Sequence, residues 1–330
     1  MDGFPGWFLR AGRNGPNFKN EKIYERREQR VETAVVQVPR GFLYEEPEFA
    51  DHKGSFYKVA DEIFMGWAVG ILEEKDGVCR VTTHHGYKGY MDAAQLLRIS
   101  EKELRERDEK KEICYLQTGL TDVMDIPKVE GRVLTSLTRG SFVRPLSEKE
   151  GGYQRIRLSG GQEGYVPEKS LKKRQDTDRF LYEAGWDFHL QRLPEGTAEE
   201  SFRKKVTDTA RSYLGTQYRW GGKSAQGIDC SGMAFMSYFL NGILIYRDAS
   251  IQKEFPIKEI PLDKIKPADL LFFPGHVAMY LGEGKYIHST AYRESFGCVI
   301  NSLRPEDEDY RADLKEKLTM AGSLEIFLQA

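Results

Sequence analysis

The stretch that decides the fold lies in the last third of the chain and reads Gly227-Ile228-Asp229-Cys230-Ser231-Gly232. An apolar run over 233–240 follows it, so the pattern predicts a helix that begins at or beside Cys230. A thiol at a helix N-terminus lies where unpaired backbone N–H groups and the helix dipole favour negative charge, which predicts a lowered pKa and a reactive thiolate. Cys230 is therefore the candidate nucleophile, whereas the other three cysteines are expected to be small buried hydrophobes.

A cysteine nucleophile needs a general base, and two histidines downstream are suitable candidates. His276 opens a strand-like run, a turn follows at Gly282-Glu283-Gly284, and the next run ends at His288. If the turn centres on Gly282, the two histidines face each other across an antiparallel hairpin, close enough for a hydrogen bond. Cys230, His276 and His288 are the predicted catalytic set. A zinc site made of the same three is a disfavoured alternative, because no single element supplies two ligands.

An internal repeat with an offset of 75 residues lies upstream of this set. Gly86-Tyr87-Lys88-Gly89-Tyr90-Met91 matches Gly161-Gln162-Glu163-Gly164-Tyr165-Val166. Each copy consists of short alternating strands with glycine turns, which predicts two small β-barrels that resemble bacterial SH3-like domains. Between them runs a segment that is nearly all charge, with Ser100 and Glu103 at capping-box spacing, which predicts a solvated linker helix.

The chain has 330 residues, enough for two or three domains. Thr197 and Glu200 again have capping-box spacing, so the last domain is expected to begin with a helix there. The expected segments are an N-terminal arm over 1–30, a first SH3-like domain over 31–100, a charged linker helix over 101–112, a second SH3-like domain over 113–174, a connector over 175–196 and the site-bearing domain over 197–330.

Composition and charge exclude several classes of function. Lysine and arginine number 49 against 51 aspartates and glutamates, and this net charge of −2 disfavours a nucleic-acid partner. No run approaches the roughly 20 apolar residues that cross a bilayer, so membrane insertion is not expected. The first residues lack the pattern of a secretory signal, which predicts a cytoplasmic protein; a secreted protein whose signal was removed is the alternative.

Further motifs surround the cysteine and the histidines. They are Tyr218-Arg219-Trp220-Gly221-Gly222, Arg247-Asp248 and Pro267-Ala268-Asp269-Leu270-Leu271-Phe272-Phe273. Over about residues 197–303 the combination resembles the NlpC/p60 cysteine peptidases of bacterial cell-wall peptides. With two SH3-like units in front, the layout is similar to that of the γ-D-glutamyl-L-diamino acid endopeptidases. The resemblance implies an α+β fold, with a papain-like cysteine peptidase domain preceded by two small SH3-like β-barrels.

The resemblance also implies roles for single residues. Cys230 would attack the γ-D-glutamyl carbonyl, His276 would act as general base and acid, and His288 would orient the imidazole. The substrate would be a murein tripeptide or tetrapeptide with a free N-terminal L-alanine, and neither a cofactor nor a metal would be needed. The implied substrate-binding residues are Tyr218, Trp220, Asp229, Ser231, Asp248 and, from the first SH3-like domain, Tyr87. For Asp229 and Ser231, which flank the nucleophile, local helix capping is the alternative.

Two alternatives for the function stay open. One is a non-catalytic cell-wall binding protein with a degenerate peptidase domain, and the other is an amidase or acyltransferase on the same core. The sequence leaves undetermined the diamino acid accepted, the oligomeric state, and whether the first SH3-like domain blocks the groove or anchors the protein to the wall. It carries one departure from the resemblance, since Trp67 stands where relatives often have glutamate.

Overall fold

The computed structural model describes residues 32–47, 58–109, 113–174 and 191–328. These residues form two units. The N-terminal unit comprises the described residues up to 174 together with the later segment 219–227, and the C-terminal unit comprises 191–218 and 228–328. The predicted N-terminal arm and residues 175–190 of the predicted connector lie outside the described residues.

The N-terminal unit begins with a seven-stranded antiparallel sheet, ordered β3-β2-β6-β5-β4-β1-β7. Strands β2 and β6 alternate between buried and half-buried residues, as expected for strands with one face on a core. The seven strands are β1 (Glu32–Val36), β2 (Arg40–Tyr44), β3 (Val59–Phe64), β4 (Ala68–Lys75), β5 (Val78–Thr83), β6 (Lys88–Asp92) and β7 (Leu96–Ile99).

Helix α1 (Glu101–Glu109) follows the first sheet. The backbone N–H of Glu103 donates to Ser100 Oγ at 3.2 Å, and the backbone N–H of Ser100 donates to a Glu103 carboxylate oxygen at 2.8 Å. The predicted capping box is therefore confirmed, and it satisfies two N–H groups that the first helical turn leaves unpaired.

A second seven-stranded antiparallel sheet completes the N-terminal unit, ordered β10-β9-β13-β12-β11-β8-β14. Its core includes Leu116, Val123, Leu137, Ile156 and Val166, all fully buried. The strands are β8 (Cys114–Leu116), β9 (Leu120–Met124), β10 (Val133–Thr138), β11 (Phe142–Glu150), β12 (Tyr153–Arg157), β13 (Glu163–Pro167) and β14 (Leu171–Lys173).

The strand orders confirm the internal repeat, because each strand of the second sheet takes the place of its counterpart in the first. Glycine is required at the repeated positions for the same physical reasons in both copies. Gly86 and Gly161 have φ of 88° and 87°, which favours glycine. A side chain at Gly89 would come within 2.6 Å of a backbone oxygen, and at Gly164 within 2.8 Å. Both sheets are open: among the described residues, the edge strands of neither sheet pair with each other to close a barrel.

The C-terminal unit contains a six-stranded antiparallel sheet, ordered β17-β22-β18-β19-β20-β21, against which helix α3 packs. Its helices and strands are α2 (Glu199–Arg211), α3 (Cys230–Phe239), β17 (Ile257–Ile260), β18 (Leu270–Phe273), β19 (His276–Gly282), β20 (Lys285–Thr290), β21 (Gly297–Ser302), α4 (Ala312–Lys317) and β22 (Met320–Leu324). Two short strands precede α3, namely β15 (Lys223–Ser224) and β16 (Gly227–Ile228), and they pair with each other.

Helix α2 has the buried face predicted from its apolar spacing, with Phe202, Val206 and Ala210 buried. The predicted capping box at Thr197 is wrong. Ala198 is the N-cap residue and makes no side-chain cap, so acidic residues of the first turn must balance the helix N-terminus instead. One of them, Glu199, accepts a hydrogen bond from Arg203 one turn later at 2.7 Å.

Candidate active site

Helix α3 places Cys230 at its first residue, as the sequence predicted. Every residue of this helix is buried, so the apolar run 233–239 fixes it in the core and leaves its N-terminus as the functional end. The Cys230 thiol is 7% exposed and accepts a hydrogen bond from the backbone N–H of Val277. Because Val277 follows His276 on β19, the helix start and the strand start come together at the thiol.

Burial controls the acidity of this thiol. It raises the pKa of Cys230 to about 12, and the neighbouring Asp229 carboxylate acts in the same direction. The backbone N–H groups of Val277 and Ser231 and the charge of Arg247 oppose the rise but are weaker. The predicted lowering of this pKa is therefore wrong, since removal from water outweighs the helix N-terminus here. At neutral pH the thiol is protonated, and a nucleophilic role requires a base.

The two histidines lie on the hairpin of β19 and β20, in which Met279 lies opposite Ile287. The prediction that the turn centres on residue 282 is wrong, because the turn residues are Glu283-Gly284, with φ of 53° and 79°. By this register His288 is two residues away from the position that faces His276. The rings meet diagonally instead, and Nε2 of His276 lies 2.7 Å from Nδ1 of His288, so the predicted hydrogen bond is confirmed.

Asn301 on β21 determines which ring nitrogens carry protons. Its Nδ2 donates to the backbone carbonyl of Asp309 at 2.9 Å, so its Oδ1 faces Nε2 of His288, also at 2.9 Å. Nε2 of His288 must therefore carry the proton, and Nδ1 of the neutral ring accepts from Nε2 of His276. In neutral His276 this leaves Nδ1 as the unprotonated nitrogen, the state that a general base requires.

Both histidines are kept neutral by burial. Burial lowers the pKa of His288 to about 4, with Arg311 adding to the effect and the bond to Asn301 opposing it. Burial, followed by His288 and Arg311, also lowers the pKa of His276 well below its usual value. At pH 7 both imidazoles are uncharged, so Nδ1 of His276 carries no proton.

Two candidate substrate-binding residues are engaged in holding the helix start. Asp229 is the N-cap of α3 and accepts the backbone N–H of Gly232 at 2.5 Å. Arg247, which is 1% exposed, donates to both carboxylate oxygens of Asp229 at 3.0 Å and to Ser231 Oγ at 2.8 Å. This buried pair fixes the residues on either side of the nucleophile, a role that sequence reasoning did not assign to Arg247.

A small pocket that is open to solvent adjoins the start of α3. Ser231 and Val277, which neighbour the thiol and the base in sequence, line it. Asp248 also lines it and makes a side-chain hydrogen bond with Tyr246. Much of the remaining lining is apolar, including Ala234, Ile245, Phe255, Ile257, Leu270 and Phe272. The pocket therefore combines one carboxylate with a mostly apolar lining.

Tyr218 is half-buried in the C-terminal unit, and its ring meets that of Phe296 edge-on at 6.2 Å. Burial, together with the nearby Cys230 and Asp229, raises the pKa of its hydroxyl, which stays protonated as a hydrogen-bond donor. Phe296, 58% exposed, was not anticipated from sequence.

The remaining two candidates lie in the N-terminal unit. Trp220 is 60% exposed, whereas the ring of Tyr87 is buried and packs against His85 at 5.1 Å. Their substrate-binding roles stay predictions. Among the described residues, no three histidines, cysteines or acidic residues are grouped so that they could hold a metal. Both ring nitrogens of His288 are hydrogen-bonded, which weighs against the zinc alternative.

The comparisons with known proteins agree with this geometry. Residues 215–304 match the NlpC/P60 family. A Lysinibacillus sphaericus protein named dipeptidyl-peptidase 6 is 34% identical over 296 residues, which cover 88% of this chain and 99% of that protein. A Bacillus cereus protein named gamma-D-glutamyl-L-lysine dipeptidyl-peptidase is 27% identical over 269 residues, covering 77% of this chain and 74% of its own length.

The fold has a solved counterpart. The crystal structure of an NlpC/P60 family protein from Bacillus cereus aligns with a TM-score of 0.65 at 21% identity, and the alignment covers 88% of this chain and 98% of that one. This likeness confirms the predicted papain-like fold. Among the described residues, no helix is both long enough and apolar enough to cross a membrane.

Proposed function

Because the chain belongs to the NlpC/P60 family of cell-wall peptidases, we propose that it is a cysteine endopeptidase that hydrolyses the γ-D-glutamyl to diamino acid bond of murein peptides with a free N-terminal L-alanine. The observation that carries the proposal is the ordered chain from Asn301 through His288 to His276, together with the hydrogen bond from the neighbouring Val277 N–H to the thiol at the start of α3. The name of the Bacillus cereus relative supports the γ-D-glutamyl bond.

The proposed reaction uses the protonation states derived above. As Cys230 Sγ attacks the γ-carbonyl carbon, Nδ1 of His276 accepts the thiol proton, and the carbonyl oxygen takes the negative charge. Backbone N–H groups at the start of α3 and the Tyr218 hydroxyl donate to that oxyanion. The tetrahedral intermediate collapses to a thioester as His276 protonates the departing amine. Water, deprotonated by His276, then hydrolyses the thioester and restores the thiol.

Selectivity for a free N-terminus requires an acid that pairs with the ammonium group. Asp248, in the pocket beside Ser231, is proposed for this role, with Tyr246 orienting its carboxylate. The two open sheets of the N-terminal unit are proposed to be SH3-like domains. Such an enzyme acts on released peptides, so recycling of cell-wall fragments in the cytoplasm is its proposed setting.

The test uses L-Ala-γ-D-Glu-diaminopimelate, its lysine counterpart and the N-acetylated form of each, with products identified by mass. We expect release of L-Ala-D-Glu from the free-amine peptides alone. Cys230→Ala and His276→Ala should lose nearly all turnover while retaining the circular dichroism spectrum of the wild type. Cleavage of the acetylated peptides at the same rate would overturn the free-amine proposal. Binding of peptides without any cleavage would favour the non-catalytic wall-binding alternative.

A further inference from the structure

The N-terminal unit contains a lysine that is completely removed from solvent. Lys223, on β15, is 0% exposed, and its Nζ donates to Asp61 Oδ2 at 2.7 Å. The ammonium group also lies 4.4 Å from the ring centre of Trp67, and His85 Nε2 lies 2.8 Å from the same Asp61 oxygen. A buried charge is tolerated only when it is paired and hydrogen-bonded, so Asp61 determines where Lys223 can lie.

The next residue of β3 holds the same segment through its backbone. Glu62, also 0% exposed, accepts the N–H groups of Lys223 at 2.8 Å and of Ser224 at 3.0 Å. Its other carboxylate oxygen accepts from Arg219 at 3.0 Å. One carboxylate thus fixes the segment 219–227 at its first residue and at its middle, with charge-assisted bonds that are stronger than neutral ones.

The second copy of the repeat shows that the fold does not need these acids. Gly66 in the first copy and Gly140 in the second copy occupy equivalent positions. Their φ values are 80° and 87°, and the backbone N–H of each donates at 2.8 Å to the carbonyl of the last residue of the first strand of its sheet. Counted back from these glycines, the positions of the two acids on β3 are occupied on β10 by Thr135 and Ser136, which are neutral and half-buried. The acid pair is therefore specific to the copy that holds the segment 219–227.

This segment leads directly to the nucleophile. Only Ile228 separates it from Asp229, the N-cap of α3, and Cys230 follows. Ile228 is held in turn, because its carbonyl accepts from Ser289 Oγ at 2.7 Å. A shift of the segment would therefore be passed along the backbone to the first turn of α3, where a displacement of about 1 Å can cost a hundredfold in rate.

We propose that Asp61 and Glu62 are positioning residues for the nucleophile: by fixing Lys223 and Ser224, they set the start of the helix that carries Cys230. The inference rests on the proposed function only in that Cys230 is taken as the nucleophile. It assigns a catalytic contribution to a strand of the N-terminal unit without requiring that strand to touch the substrate.

The test removes both buried charges together, because a single substitution would leave the other charge unpaired and could unfold the protein. The double variant Asp61→Leu with Lys223→Met keeps the volume and loses the pair, and Glu62→Gln is a milder variant that keeps the shape. Ser136→Ala, at the matching place in the second copy, is the control. For each protein we would measure the melting temperature, kcat and KM, the rate of iodoacetamide alkylation at Cys230, and amide hydrogen exchange over 219–230.

We expect the double variant to melt within a few degrees of the wild type, with kcat lowered by about tenfold to a hundredfold and KM nearly unchanged. Amides over 219–230 should exchange faster, and alkylation of Cys230 should change in rate, while the control matches the wild type. Wild-type kcat, alkylation and exchange in the double variant would overturn the proposal, as would a rise in KM alone. If the peptide is not a substrate, alkylation and exchange still decide the inference, so its failure can be told from that of the proposed function.

Discussion

At the scale of single residues, the proposed chemistry depends on the direction of one amide. Asn301 can present its oxygen to His288 only because its NH₂ group donates to the carbonyl of Asp309. That orientation sets the tautomer of His288, which sets the tautomer of His276. Catalytic competence of the base thus begins at a side chain that neither contacts the thiol nor titrates.

Asn301→Ala tests this chain of hydrogen bonds. Without the acceptor, His288 can take either tautomer, and His276 spends part of its time with the proton on the nitrogen that should be the base. We expect kcat to fall by up to about a hundredfold, within the range that a positioned general base contributes, with KM little changed. Steady-state kinetics on the free-amine peptide provides the measurement.

The control for that variant is Asn241→Ala, which also removes a buried amide, one that donates to Thr209 Oγ1 at 3.0 Å far from the histidines in sequence. Asn241→Ala should lose stability but keep kcat. A wild-type kcat in Asn301→Ala would refute the tautomer argument, and equal losses of kcat in both variants would reduce Asn301 to a structural residue.

The difference between what sequence predicted and what it missed is clearest at this scale. Cys230, His276 and His288 could be identified because a helix start and a hairpin are local patterns. Asn301 and Arg247 could not, since their partners are fixed by strand register and by a loop that returns to the helix start. The thiol pKa was misjudged for the same reason, because burial is a property of the packed unit and not of the helix terminus.

At the scale of elements, the hairpin of β19 and β20 sets the spacing of the two histidines. Its two turn residues, Glu283 and Gly284, both have positive φ, as a type I′ turn requires. Glycine adopts this conformation without cost, whereas a glutamate is strained in it. The sequence pattern Gly-Glu-Gly did not reveal which two residues form the turn, and this ambiguity produced the error in register.

Substitutions in the turn should therefore act in opposite directions. Glu283→Asn creates an Asn-Gly pair, the preferred type I′ sequence, and is expected to raise the free energy of unfolding by several tenths of a kcal/mol, on the order of 0.5. Gly284→Ala puts a side chain at φ of 79° and 2.7 Å from Arg304, and is expected to lower it by about 1 kcal/mol or more. Urea denaturation of the two variants beside the wild type measures both effects. Stabilisation by Gly284→Ala would show that the turn lies elsewhere.

At the scale of the whole molecule, the chain uses one strand order twice and specialises the copies through single positions. In both sheets the glycines and the turn hydrogen bonds lie at matching positions. The same strand order therefore forms with either set of side chains. This explains why the repeat was visible in the sequence as glycines and aromatics. The acids of β3, in contrast, cannot be recognised from the sequence. They match no motif, and their partner segment lies about 160 residues downstream, as the separation of 161 between Glu62 and Lys223 shows.

Buried neutral histidines predict how the stability of the molecule depends on pH. Burial holds the pKa of His288 at about 4 and that of His84 well below its usual value, whereas an unfolded histidine titrates near 6.5. Between these two pKa values the unfolded chain binds more protons than the folded protein. The stability contributed by the histidines is therefore complete above about pH 6.5 and falls as the pH drops toward 4; His288 alone contributes about 3 kcal/mol.

The acidic residues affect stability in a different pH range. Carboxylates with lowered pKa, such as Asp313, begin to lose their contribution only below their unfolded pKa near 4, so the loss of stability between pH 6.5 and 4.5 belongs to histidines. Urea midpoints followed by circular dichroism should decline steadily across that interval, and His288→Asn, whatever its midpoint at pH 8, should decline less steeply than the wild type. A midpoint that stays level from pH 6.5 to 4.5 would mean that these imidazoles titrate in the folded protein as they do in the unfolded chain, so that burial does not keep them neutral across that interval.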